Sequence, residues 1–339
     1  SGNVALTAAD IATSGGESVQ AVLDGKQEAM TPGDNISISG RVIATKAFPC
    51  NPNMLDNWYF GKPVNQKGQA EWLSSASVNV PCVDRWNWWG QYAAGSTLKL
   101  LGDGLQLIGT AGVTGLYQRI EQRIEKDRLP VGATATLSAL VKADVDAGII
   151  LSLGGQTYQI VTVPASTWTL IAAVLNAPSV EQTHSISIQR NTPHATFTVK
   201  AVKLELGSQQ TLAHQENGAW VLNEIPKLGD QLAACQRYLI PINNWTRVRA
   251  SYYSATALFF TVPIPSTMRT TPAILDPSGA LAVQSVSGVD QAGFTFDCNM
   301  STPGSISVRA AKNSHGLTDG QLVKRGGGNF QTAFFSSEL

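Results

Sequence analysis

This sequence is short of charge. Lys, Arg, Asp and Glu supply only 14% of its 339 residues, against roughly 25% in an average soluble domain, with 24 of each sign and a formal net charge of zero. No excess of basic residues is available to hold a phosphate backbone, so nucleic acid is excluded as a partner. No apolar run approaches the roughly 18 residues of a helical membrane span, so membrane insertion is not expected. No signal peptide opens the chain, and Ser1-Gly2 reads as the start of a trimmed chain from which an address could have been removed. Cysteine is scarce and scattered. Cys50, Cys82, Cys235 and Cys298 show no C-x-x-C spacing and no neighbouring His pair, which argues against zinc. Two readings stay open for them: four reduced, buried thiols, or a Cys50–Cys82 pair in an oxidising setting. The four histidines lie far apart. A G-x-x-x-x-G-K-[ST] phosphate loop is missing, and the KRGGGN stretch at 324–329 reads as a loop.

What is present is apolar residue in short runs. Hydrophobic residues reach 43%, enough for a substantial core, and 31 glycines and 16 prolines punctuate them. Runs of β type recur at 75–83, 96–101, 105–110, 133–143, 148–154, 156–163, 168–175, 184–190 and 195–206. Strands at this spacing, divided by Gly, Asp, Asn and Pro, predict a β-sandwich. The segment 116–129 has helical composition, yet its first half, YQRIEQ, reads better as a strand. A helix is expected near 229–238, and a short one near 17–23. Residues 239–339 again read as β-rich, ending in the strand-like FFSSEL. Near the N-terminus, a turn at Thr31–Asn35 leads into alternating Ile36 and Ile38, then Gly40, then Val42 and Ile43. That pattern is a hairpin with a small apolar face, which is marginal alone and must bury that face on something.

Several phrases carry a resemblance. "SVQAVLDGKQEAMTPGDNISISGRVIAT" resembles the shaft segments of bacteriophage tail and head fibres, in which three chains wrap one axis. "NMLDNWYFGKPVNQKG", "VDRWNWWG" and "AVKLELGSQQTLAH" resemble the carbohydrate-binding-module-like jelly rolls of phage tail proteins. "LAACQRYL" and "VPIPSTMRTTPAI" resemble the join and terminal domain of such fibres. The resemblance implies an all-β chain in four parts: a trimeric shaft segment (1–49), a jelly-roll β-sandwich (50–207), a linker with a short helix (208–238) and a C-terminal β-sandwich tip (239–339). It implies a homotrimeric virion protein on a tail or other surface fibre, bound to other virion proteins and to a bacterial surface polysaccharide. A structural calcium is the one ion it suggests, with Asp56 and Glu205 as first ligands to consider; no other cofactor is expected.

Catalysis is not expected. Glycoside cleavage needs two carboxyl groups about 5–10 Å apart across one sugar, and Asp56, Glu71, Asp84, Asp103 and Glu205 stand in no recognisable catalytic phrase. Cys235 has no visible base partner. Binding is the better reading. Sugars offer C–H faces to aromatic rings and hydroxyls to polar side chains. The stretch 83–92 supplies Trp86, Trp88, Trp89 and Tyr92, with Arg85, Asn87 and Gln91 among them. In a strand Trp86 and Trp88 face one way and Trp89 the other. Either all these rings pack inside the sandwich or between chains, or at least one stacks on sugar. Trp58, Tyr59 and Phe60 read as structural, closing the end of the domain and docking it on the shaft. A structural fibre or decoration protein without a receptor site, and a glycan-cleaving tailspike, are the alternatives.

Overall fold

A computed structural model describes residues 15–16, 18, 21, 36–39, 42–45, 51–73, 79–90, 96–109, 118–155, 157–179, 184–242, 248–275, 281–285, 290–291, 293–298, 301–317, 321–324 and 334–337. The chain is nearly all β. Strands β1 (Ile36–Ser39) and β2 (Val42–Thr45) pair antiparallel as the expected hairpin, with Ile38 opposite Ile43. The helix expected near 17–23 lies largely outside the described residues.

A sandwich follows, built from β3 (Glu71–Leu73), β4 (Asn79–Pro81), β5 (Asn87–Gly90), β6 (Thr97–Leu101), β7 (Gly104–Ile108), β8 (Gln118–Ile124), β9 (Thr134–Ala143), β10 (Ala147–Leu153), β11 (Thr157–Val163), β12 (Thr169–Asn176), β13 (His184–Arg190) and β14 (Phe197–Leu206). The front sheet runs β11-β10-β13-β8-β5-β4 and the back sheet β12-β9-β14-β7-β6-β3, antiparallel throughout. From β8 onward the chain passes back and forth between the sheets except at the β10–β11 hairpin, the wiring of a jelly roll. Side-chain alternation sets which face is inside. In β10, Ala147, Ile149, Leu151 and Leu153 are buried against the back sheet, while Gly148, Ile150 and Ser152 point outward. Of the stretch YQRIEQ, Gln118–Gln122 is strand, within β8, and Tyr117 lies outside the described residues. Its helical composition loses to the sheet, where alternate residues Gln118, Ile120, Gln122 and Ile124 are all buried, a period of two.

The aromatic stretch at 58–60 is structural, as expected. Trp58 and Phe60 are buried, and Phe60 meets Trp86 edge-on at 5.0 Å between ring centroids. The backbone of this stretch runs beside β14: the Phe60 amide donates to Lys200 O (2.8 Å) and the Val202 amide to Trp58 O (3.0 Å).

Residues 208–238 are more than a linker. Strands β15 (Ala213–Glu216) and β16 (Ala219–Leu222) form a hairpin, and Leu212 and Ala213 belong to the sandwich core. Lys203 and Glu205, on the outward side of β14, are fully buried beneath this segment. The Lys203 ammonium pairs with Glu224 at 3.0 Å, and both Glu205 oxygens accept from Thr211. Helix α1 (Leu228–Gln236) then leads into the C-terminal unit.

That unit is three small antiparallel sheets. Phe334–Ser336 lies between Leu239–Pro241 and Ala273–Leu275. Gln321–Lys324 lies between Val248–Arg249 and Leu281–Gln284. Ala257–Val262 and Ile306–Ala311 are flanked by Ser251–Ser254 and Thr295–Asp297. Leu258, Phe260, Val283, Ile306, Val308 and Phe335 make its core. Among the described residues no helix is long and apolar enough to cross a membrane.

Candidate functional site

The Trp-rich stretch divides across the front sheet. Trp88 points inward and is wholly buried, and Trp86, just before β5, is 1% exposed. A ring with no free face cannot stack on a sugar, so the stacking role does not hold for these two; they pack inside the sandwich. Arg85 is also buried, and it belongs to an internal ionic knot. Its Nε meets Asp56 Oδ2 at 3.3 Å, one Nη donates to Arg123 O, and its guanidinium lies 3.5 Å from the centre of the Tyr238 ring. Arg128 takes the other Asp56 oxygen at 3.0 Å, and the Tyr238 hydroxyl donates to Glu125. Gln91 and Tyr92 lie outside the described residues. Trp89 and, two residues before it, Asn87 are the described members of the predicted set that lie on the outward face. The opposed directions of Trp88 and Trp89 are those expected from the strand pleat.

Around Trp89 the register assembles a site. On the outward side of the front sheet, one cross-strand row reads Ile160, Ile150, Gln189, Arg119, Trp89, Asn79. The next reads Tyr158, Ser152, Ser187, Glu121, Asn87, Pro81. Arg119 Nε pairs with Glu121 at 3.2 Å while its guanidinium lies 4.7 Å from the Trp89 ring centre. The ion pair and the ring contact hold the guanidinium flat against the sheet. Ser152 and Ser187 share a 2.6 Å hydrogen bond. Trp89 Nε1 and Asn79 Oδ1, neighbours in the register, are buried polar atoms without a hydrogen-bond partner. Tyr158, 65% exposed, stands at the far edge. Four strand spacings of about 4.8 Å separate it from Trp89, roughly 19 Å in all.

Sequence reasoning missed Arg119, Glu121, Gln189 and Tyr158. The alternation Arg119-Glu121-Arg123 was a visible signal, but only pairing of distant strands brings it beside Trp89.

A structural calcium at Asp56 or Glu205 does not fit. Each Asp56 oxygen faces a guanidinium and each Glu205 oxygen takes a hydrogen bond from Thr211. No group of three or more His, Cys, Asp and Glu side chains suited to a metal occurs among the described residues. A cleft of about 600 Å³ between Met54–Trp58 and the segment 224–231 has Arg128 on its wall, already held by Asp56.

No protein-family profile and no curated protein matches the sequence. Solved structures do resemble it in part. A CBM4 module is 17% identical over 39% of this chain and 94% of its own, with a TM-score of 0.32. The CBM22-1 xylan-binding domain of Paenibacillus barcinonensis Xyn10C is 12% identical over 46% and 95% (TM-score 0.29). A putative sugar-binding protein of Bacteroides thetaiotaomicron is 10% identical over 46% and 100% (TM-score 0.29). At these identities and scores the likenesses argue for neither family nor ligand.

Proposed function

We propose that this chain binds a glycan, without cleaving it, on the outward face of the front sheet. The observation that carries the reading is the pair of rows from Trp89 to Tyr158: aromatic rings at both ends with Arg119, Asn87, Gln189 and Ser152 between them, and the buried Glu121 and Ser187 holding Arg119 and Ser152. Rings take the C–H faces of sugars, and the fixed polar groups take hydroxyls. The distance between the rings suits an extended oligosaccharide better than a single sugar.

The wider role is attachment of a bacteriophage particle to a bacterial surface polysaccharide. The chain would be the virion fibre, a homotrimer held by its shaft segment and by other virion proteins. The fibre-like phrases of the sequence support this, as does the small β1–β2 hairpin, which needs an apolar partner. Three weak sites on one fibre bind together through effective concentration.

A glycan array on the intact chain, followed by calorimetry with the best ligand, tests the binding. Trp89→Ala is expected to weaken it about 10- to 100-fold, ~1.5–3 kcal/mol. Unchanged affinity in that variant would move the site elsewhere, and an array with no ligand would favour a purely structural fibre. Light scattering tests the trimer: the intact chain is expected at three times the chain mass, and a chain starting at Cys50 at one.

A further inference from the structure

The back sheet carries an unusual cluster on its own outward face. Lys142 Nζ lies 5.3 Å and Lys200 Nζ 5.5 Å from the centre of one ring, that of Trp168. All three side chains are half-buried. The sheet register explains the meeting. Thr169 opposes Val141, which sets Trp168 beside Lys142, and the row continues through Thr198 and Gln106 to Lys99. Lys200 joins through the bulge between Val199 and Ala201, an extra residue that a regular ladder would not contain.

Among the described residues neither ammonium has a carboxylate within ion-pair distance, whereas Lys99 pairs with Glu71 and Lys203 with Glu224. The nearby carboxylates are turned to backbone, Asp144 accepting from the Thr196 amide and Asp146 from the Ala165 amide. Two uncompensated cations thus share one ring. They lie close on the scale of a Debye length, roughly 8–10 Å, and repel each other. A chain with so few charges does not gather two by averaging. An anion bound by both ammoniums would turn the repulsion into attraction, beside the indole ring that both approach.

We propose that Lys142, Lys200 and Trp168 form a second binding site, for an anionic polysaccharide. The lysines hold the acidic group, carboxylate or phosphate, and Trp168 stacks on the sugar that bears it. This site lies on the opposite sheet from the Trp89 face, uses none of its residues and does not depend on it.

The test uses the full-length chain and affinity electrophoresis through gels containing polygalacturonate, a glycerol-phosphate polymer or neutral dextran. The acidic gels are expected to retard the chain and the neutral gel to leave it free. Retardation by only one of them supports the site and assigns its anion. Raising salt from 50 to 250 mM should weaken the interaction about 10-fold, since the half-buried charges still reach solvent. Lys142→Gln/Lys200→Gln should abolish retardation, Lys142→Arg/Lys200→Arg should restore most of it, and Trp89→Ala should leave it intact. Trp168→Ala should weaken retardation without changing its salt dependence. The thermal midpoint of each variant checks folding. Retardation of the glutamine variant equal to that of the parent, or none of the parent in either acidic gel, overturns the proposal. So does retention by anionic lipid vesicles with none by acidic glycans, which would make this a membrane-facing surface.

Discussion

Several interactions converge on Asp56. Its two oxygens face Arg85 and Arg128, its amide donates to Gln122 and its carbonyl accepts from Gln122. The left-handed backbone of Asn57 and Arg85 (φ 52° and 72°) is held by the same knot, with the Asn57 side chain bonded to Val64 and Asp84. Removing one partner of a buried ion pair leaves the other uncompensated, at about 3–5 kcal/mol. Asp56→Ala is therefore expected to lower stability by that order in chemical denaturation. Cys82 makes a second prediction at this scale. It is free and buried, and burial pushes its thiol up to about 12 from the 9.0 of a free thiol. The folded chain keeps this proton where the unfolded chain loses it. Its contribution to stability is present below about pH 9 and lost as pH rises toward 12. The denaturation midpoint should fall less between pH 8 and pH 10.5 in Cys82→Ala than in the parent. Iodoacetamide at pH 8 should leave Cys82 unmodified in the folded chain.

At the scale of elements, the segment 208–224 is a cover strapped to the back sheet. Lys203 sits wholly out of water beneath it, with Glu224 as its carboxylate partner. Glu224→Ala should loosen this cover, so that limited trypsin digestion cuts near Lys203 and Lys227 much faster than in the parent. Equal cleavage rates would mean that the hairpin holds without the ion pair. The same region shows where the sequence stopped being readable. Its polar, mixed composition looks like a linker, because the groups it satisfies, Lys203 and Glu205, lie in another element. The strands themselves were legible: β9 to β14 match predicted runs to within a residue at the ends that overrun, since a period of two is local information. The short strands β3 and β5 were not, because three or four residues carry too little pattern. The inward fate of Trp86 and Trp88 was half legible. The pleat separates Trp88 from Trp89, but the choice of inner face is made by the β8 strand alongside.

At the scale of the molecule, Tyr238 joins the sandwich to the C-terminal unit. Its ring covers Arg85, its hydroxyl donates to Glu125, and its carbonyl accepts from the Ser337 amide at 2.7 Å. Gln66 adds a bridge, donating to both Asp84 and Leu239 O. The helix phrase ACQRYL is thus a rivet rather than a flexible joint. Calorimetry of the parent should show the sandwich and C-terminal unit unfolding together. Tyr238→Ala should split the transition into two. A single transition in that variant would mean that other contacts suffice.

The placement of Phe334–Ser336 has a consequence for how the protein is made. This strand lies between Leu239–Pro241 and Ala273–Leu275, and Ser337 closes onto Arg237 and Tyr238. A nascent chain still lacking these residues holds two short strands with nothing between them. The sandwich can fold while translation continues, but the sheet that Phe334–Ser336 completes must wait for the ribosome to deliver that strand. A truncation just before Phe334 would then be as damaging as a large internal deletion.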